Sequence, residues 1–110
     1  MIEDTIGQIE AKIRDAGAVS EDRKRELLQL LGQLKSEVGT LAKTHDEQAE
    51  SIAGFAQLSA HEATRTRQNP ESLQHSLQGL QSSVDGFEQS HPKLVQVVNA
   101  ISNTLSNLGI

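Results

Sequence analysis

Eleven positions in a row constrain this chain more than anything else in it. Leu27, Leu31, Leu34, Val38, Leu41, His45, Gln48, Ile52, Phe55, Ser59 and Glu62 follow one another at alternating steps of four and three. That rhythm lays one narrow stripe along a helix and is the mark of a buried seam. Taken as one helix over residues 20–67, it predicts a rod about 70 Å long at ~1.5 Å per residue. Such a length belongs to coiled-coil-like assemblies rather than to an ordinary globular helix.

The flanking segments carry the same rhythm. Ile2, Ile6, Ile9 and Ile13 predict a short helix over 2–16, stopped by Gly17 at a C′ position. Ser20, followed by Glu21 and Asp22, reads as an N-cap with an acidic first turn. Asn69-Pro70 breaks the long helix and opens the next, over 70–89, with Leu73, Leu77, Leu80, Val84 and Phe87 on its seam. Ser90-His91-Pro92 marks another boundary, because the residue before a proline avoids the α region. A last helix over 92–108 carries Leu94, Val98, Ile101, Leu105 and Leu108, with Gly109 ending it. The seam register runs through His91 unbroken, so one kinked rod over 70–108 is the alternative to a break at Pro92. The simplest arrangement is a long antiparallel, coiled-coil-like helical hairpin with a short N-terminal helix, all-α, in one domain over 1–110.

Composition bears on whether such a hairpin stands alone. Of 110 residues, 35% are apolar and only Phe55 and Phe87 are aromatic. Aromatic side chains bury the most area each, so the core of one chain looks thin, and seams shared between chains would make good the shortage. A homodimer or homotetramer is the expected state. The expected helix–helix contact residues are Leu31, Leu34, Val38, Leu41, Ala42, Ala49, Ile52, Phe55 and Ala56 on the long helix. On the return arm they are Leu77, Leu80, Val84, Phe87, Leu94, Val98, Ile101 and Leu105.

Beside the seam runs a ridge of small residues. With Leu31 as a and Leu34 as d, the e positions read Ala42, Ala49, Ala56 and Ala63, and the b positions Gly32, Gly39, Asp46, Ala53 and Ala60. Small side chains let a second backbone approach, which makes the ridge a candidate second interface. Alanine is also simply the best helix former, but each interior glycine costs ~1 kcal/mol and does not fit that explanation. The last helix has the widest apolar face, with Val95 and Val97 flanking its seam, and belongs in the middle of a bundle. His45 and Gln48 put polar groups into the seam. Such residues set register or oligomer state, and a histidine there could also respond to pH, although a partly exposed seam is the simpler explanation.

The net charge of −5 argues against nucleic acid or anionic membrane as a partner. Arg23-Lys24-Arg25 is flanked by Glu21, Asp22 and Glu26 and reads as a solvated helix face. With no cysteine, thiolate and disulfide chemistry are excluded. His45, His61, His75 and His91 are far apart in sequence, and none has a second His or Cys at metal-ligand spacing. A di-iron bundle needs Glu-x-x-His pairs with further inward glutamates, and no Glu-x-x-His is expected here. No nucleophile elbow or phosphate-cradling glycine loop is present. An enzyme is therefore not expected, nor a cofactor, a metal or a catalytic residue. No apolar run of ~18 residues occurs. The first residues also lack the basic and apolar regions of a signal peptide, so a cytoplasmic protein is expected.

The stretch Phe87-Glu88-Gln89-Ser90-His91-Pro92, with the closing Leu105-Ser106-Asn107-Leu108-Gly109-Ile110, resembles a family of short bacterial helical proteins of unknown function. Members are similar in having a leucine-rich helical N-terminal part, a Phe-Glu-x-Ser-His-Pro-like motif and a Leu-x-Asn-Leu-Gly-Ile-like tail. The likeness is fairly specific over 84–110 and loose over 1–41, and residues 42–69 read as extra length. It implies no catalytic residue, but singles out Ser90, His91 and Pro92, with Ser90 or His91 capping the last helix and Pro92 fixing its first turn. The expected function is a structural or scaffolding role for a self-associating bundle. The alternatives are a regulatory adaptor that takes another protein's helix into an apolar groove, or a phasin-like amphipathic protein that coats a surface.

Overall fold

The structure, a computed structural model, describes residues 2–108 and is all-helical there. Five helices follow in order: α1 Ile2–Asp15, α2 Glu21–Leu41, α3 Asp46–Thr64, α4 Pro70–Ser82 and α5 Pro92–Leu108. Several ends are set as the sequence predicts. Ser20 Oγ accepts the Arg23 N–H at 3.3 Å to start α2. Asn69 Oδ1 accepts the Glu71 and Ser72 N–H groups at 3.1 Å each, with Pro70 in the first turn of α4. Gly17 follows α1 without the left-handed conformation of a C′ glycine, since among the described residues only Gly86 has a positive φ. The ending at Gly109 lies outside the described residues.

The long helix over 20–67 does not form. At its C-terminus α2 tightens into i→i+3 bonds, Lys43 N–H to Thr40 O at 3.3 Å and Thr44 N–H to Leu41 O at 3.1 Å. The chain then turns through residues 42–45, and Asp46 and Glu47 give α3 an acidic first turn. The molecule measures 37 × 24 × 21 Å, so the 70 Å rod is replaced by a compact bundle. The helix predicted over 70–89 also ends early, at Ser82. Two further i→i+3 bonds, Val84 N–H to Gln81 O and Asp85 N–H to Ser82 O, carry the chain to Gly86, whose φ of 94° turns it. The Glu88 carboxylate accepts the Gly86 N–H at 3.0 Å and fixes that turn. The break at Pro92 is as predicted, and the kinked rod over 70–108 does not form.

The seams close within the single chain. Ile2, Ile6, Ile9 and Ile13 of α1 are buried with Leu27, Leu31, Leu34, Val38 and Leu41 of α2. Leu73, Leu77, Leu80 and Val84 meet Leu94, Val97, Val98, Ile101 and Leu105 of α5 in the same core. Each such Leu or Ile contributes ~1.5–3 kcal/mol by leaving water, so a core poor in aromatics is assembled from many branched aliphatics. α5 packs against α2, α3 and α4, the central placement expected of it.

α3 departs from its predicted register. Its buried face is Ala49, Ile52, Ala53, Ala56, Ser59, Ala60, Glu62 and Ala63. Phe55 and Gln48, both assigned to the seam, stand exposed, and the small-residue ridge has become the core face. The reason is crowding. α3 touches each of the other four helices, and helix axes come close only where the side chains between them are small. The glycines of the predicted ridge play no such part, since a Cβ at Gly32 or Gly39 would meet nothing within 4 Å.

Candidate functional site

Of the predicted contact residues, Leu31, Leu34, Val38, Leu41, Ala49, Ile52, Ala56, Leu77, Leu80, Val84, Leu94, Val98, Ile101 and Leu105 are buried inside the chain. Ala42 and Phe87 are half-buried at one end of it. Phe55 alone among them is turned outward, 38% exposed, and Leu58 one turn further on α3 is 45% exposed. These two are the large apolar side chains left exposed among the described residues. With Ser51 they form a stripe along α3.

Between this stripe and α4 lies a shallow groove of about 400 Å³, lined by Glu47, Gln48, Ser51, Phe55, Gly79, Ser82 and Ser83. The Phe55 ring rests on Gly79. A Cβ there would stand 2.6 Å from Phe55 Cδ1 and closer still to Cε1, so the ring position depends on that glycine. The surface around it is unusual for so charged a chain. Residues 51–61 of α3 and 72–84 of α4 and its following turn contain no Asp, Glu, Lys or Arg.

At the bundle end next to this groove, two turns bring three rings together. His45, in the turn before α3, meets Phe87 edge-on with ring centres 5.4 Å apart, and Phe87 meets His91 in the same way at 5.5 Å. His45 and His91 are themselves 6.4 Å apart. Each histidine places Nδ1 against the hydroxyl of the residue before it, Thr44 Oγ1 at 2.8 Å and Ser90 Oγ at 3.0 Å. So Ser90 orients a ring here rather than capping a backbone N–H of α5. The histidines, scattered along the sequence, are not all scattered in space. His61 lies elsewhere, its Nδ1 3.2 Å from Lys12 Nζ.

Glu88 and His91 do stand at Glu-x-x-His spacing, but in a turn, and the Glu88 carboxylate is engaged by the Gly86 N–H. Among the described residues no group of three or more His, Asp or Glu side chains is placed to hold a metal ion. No helix among them is long and apolar enough to cross a membrane.

A five-helix aliphatic bundle with an uncharged apolar stripe and a histidine–phenylalanine cluster at one end defines the class of protein. Residues 27–110 match the family described as Domain of unknown function (DUF4404), and the chain belongs to that family. The match begins inside α2, leaves α1 outside, and spans a range that includes residues 42–69. Neither a curated protein nor a solved structure matches the chain.

Proposed function

We propose that this protein acts without catalysing a reaction, as a self-associating helical bundle with a structural or scaffolding role. The contact is the α3–α4 face around Phe55 and Leu58. One observation carries the reading: the two exposed large apolar side chains share a face whose segments 51–61 and 72–84 carry no Asp, Glu, Lys or Arg, with Glu47 at its edge. Shared seams do not support association, because the seams are filled from within the chain. What supports it now is the stripe left over.

A second copy suits that stripe better than a partner recognised through charge. Chains of net charge −5 repel one another, and they can meet closely only where charge is missing. Interface centres are depleted of charge and enriched in aromatic residues. A two-fold axis would set the stripe against itself. Light-scattering mass on a sizing column, over a wide range of concentrations, tests this. The expected result is a dimer that Leu58→Glu converts to a monomer of unchanged helicity. A wild-type monomer at every concentration overturns self-association, and the stripe then becomes a seat for the helix of another protein.

A further inference from the structure

We propose that His45 and His91 form a two-point binding site for a divalent transition-metal ion that favours imidazole, zinc above all. The two residues are 46 apart in sequence, yet two separate turns set their rings 6.4 Å apart across the end of the bundle. Both rings abut Phe87, which backs them from one side.

The hydrogen bonds favour ligation. A metal-bound histidine ordinarily uses one ring nitrogen for the ion and the other for an orienting hydrogen bond. Here both Nδ1 atoms have such a partner, Thr44 Oγ1 and Ser90 Oγ, and neither Nε2 has one among the described residues. A hydroxyl accepts as readily as it donates. Each Nδ1–H can therefore donate to its neighbour and leave the Nε2 lone pair for the ion. Packing against Phe87 explains why the rings gather, but not why the same hydroxyl–imidazole arrangement occurs in both turns.

The spacing is within reach. Two imidazoles gripping one ion from opposite sides stand with ring centres about 6.4 Å apart, given Zn–N bonds of ~2.0–2.1 Å. A tetrahedral angle brings them to about 5 Å, an adjustment that side chains in turns can make. Water would complete the coordination, since no third protein ligand is in place. Imidazole pairs suit zinc, copper and nickel rather than magnesium or calcium. An ion there would tie the turn between α2 and α3 to the turn between α4 and α5, and so fasten the bundle end. This site does not depend on self-association through α3 and α4.

Titration calorimetry of the full chain with zinc chloride, at pH 7.5 in a non-coordinating buffer, tests the site. One ion per chain is expected, with a rise in melting temperature as the ion is added. His45→Gln and His91→Gln should each weaken binding about ten-fold or more and abolish that rise, because losing a ligand costs at least what losing its orienting partner does. His75→Gln, an exposed histidine on α4, should change nothing. Imidazole ¹⁵N spectra of the unaltered protein give a second readout, with zinc-induced shifts confined to His45 and His91. No saturable uptake, uptake that survives the double substitution, or shifts at other histidines would overturn the proposal.

Discussion

Gly79→Ala separates the fold from the presentation of Phe55. Alanine in place of glycine inside α4 favours the helix by ~0.8–1.0 kcal/mol. Against that stands the new Cβ, which would overlap the Phe55 ring. The ring is the free end of a side chain already 38% exposed, so it can swing outward while the backbones of α3 and α4 keep their spacing. A phenylalanine buries ~150–250 Å², so about 120 Å² of Phe55 is covered, and uncovering half of it costs about 1.5 kcal/mol at ~25 cal/mol/Å². The two effects nearly cancel, leaving between no change and about 1 kcal/mol of destabilisation. Urea unfolding followed by far-ultraviolet circular dichroism reads this as a small shift in midpoint at constant slope. In a Phe55→Ala background the ring cost is gone, and Gly79→Ala should stabilise by about 1 kcal/mol. A loss above about 3 kcal/mol in the wild-type background would refute the reasoning, because the helices themselves would then be absorbing the clash. Sizing-column mass on the same variant should show weakened association, since the displaced ring no longer fits its own copy.

Four other substitutions probe the core. Ala56→Leu, at a position 1% exposed against crowded neighbours, should lower stability by about 1–3 kcal/mol in a urea melt; unchanged stability with altered mass would return the alanine ridge to the surface. The Ser59 and Ser102 hydroxyls are buried without a hydrogen-bond partner among the described residues. Each Ser→Ala change should therefore stabilise by about 1 kcal/mol, and a destabilised variant would mean that the hydroxyl is satisfied after all. Ile101→Asp puts an unpaired carboxylate at a position 1% exposed in α5 and should cost more than about 4 kcal/mol, read as loss of helicity at room temperature. Wild-type helicity in that variant would remove α5 from the centre of the bundle.

Much of the secondary structure was legible, because periodicity and caps act locally. α1, α2 up to Leu41, and α5 fall where their seams and their Ser20 and Pro92 signals put them. α3 departs from its expected face for a reason that no pattern of large apolar residues reveals. A helix with one neighbour buries its bulky side chains and leaves alanine at the margin. A helix with four neighbours has little room for bulk, so α3 turns its alanines inward beside Ile52 and Glu62 and sends Phe55 out. The number of neighbours is a property of the whole fold. Ala49, Ala56 and Ala63 were visible as a ridge, but only the packing of α1, α2, α4 and α5 around them decides that the ridge is the core.

The two histidines carry the same lesson further. Over 20–67 the unbroken four-three spacing predicts unbroken helix, yet the rhythm survives a turn as long as the turn conserves the step count. What marked the turns was chemistry rather than spacing. His45 and His91 are the imidazoles that occupy seam positions, each after a hydroxyl residue, and each falls in a turn next to the start of a helix. A polar ring in a seam is poorly placed if the helix continues, since burial would strand its nitrogens. It is well placed if the helix stops there and the ring reaches the bundle end, half in water. Two seams interrupted in this way, in helices that pack side by side, put their interruptions at one end, and the rings meet over Phe87. Sequence separation is therefore a poor measure of whether two histidines meet, because the bundle brings the His45 and His91 rings to 6.4 Å at two of the positions where the apolar pattern fails.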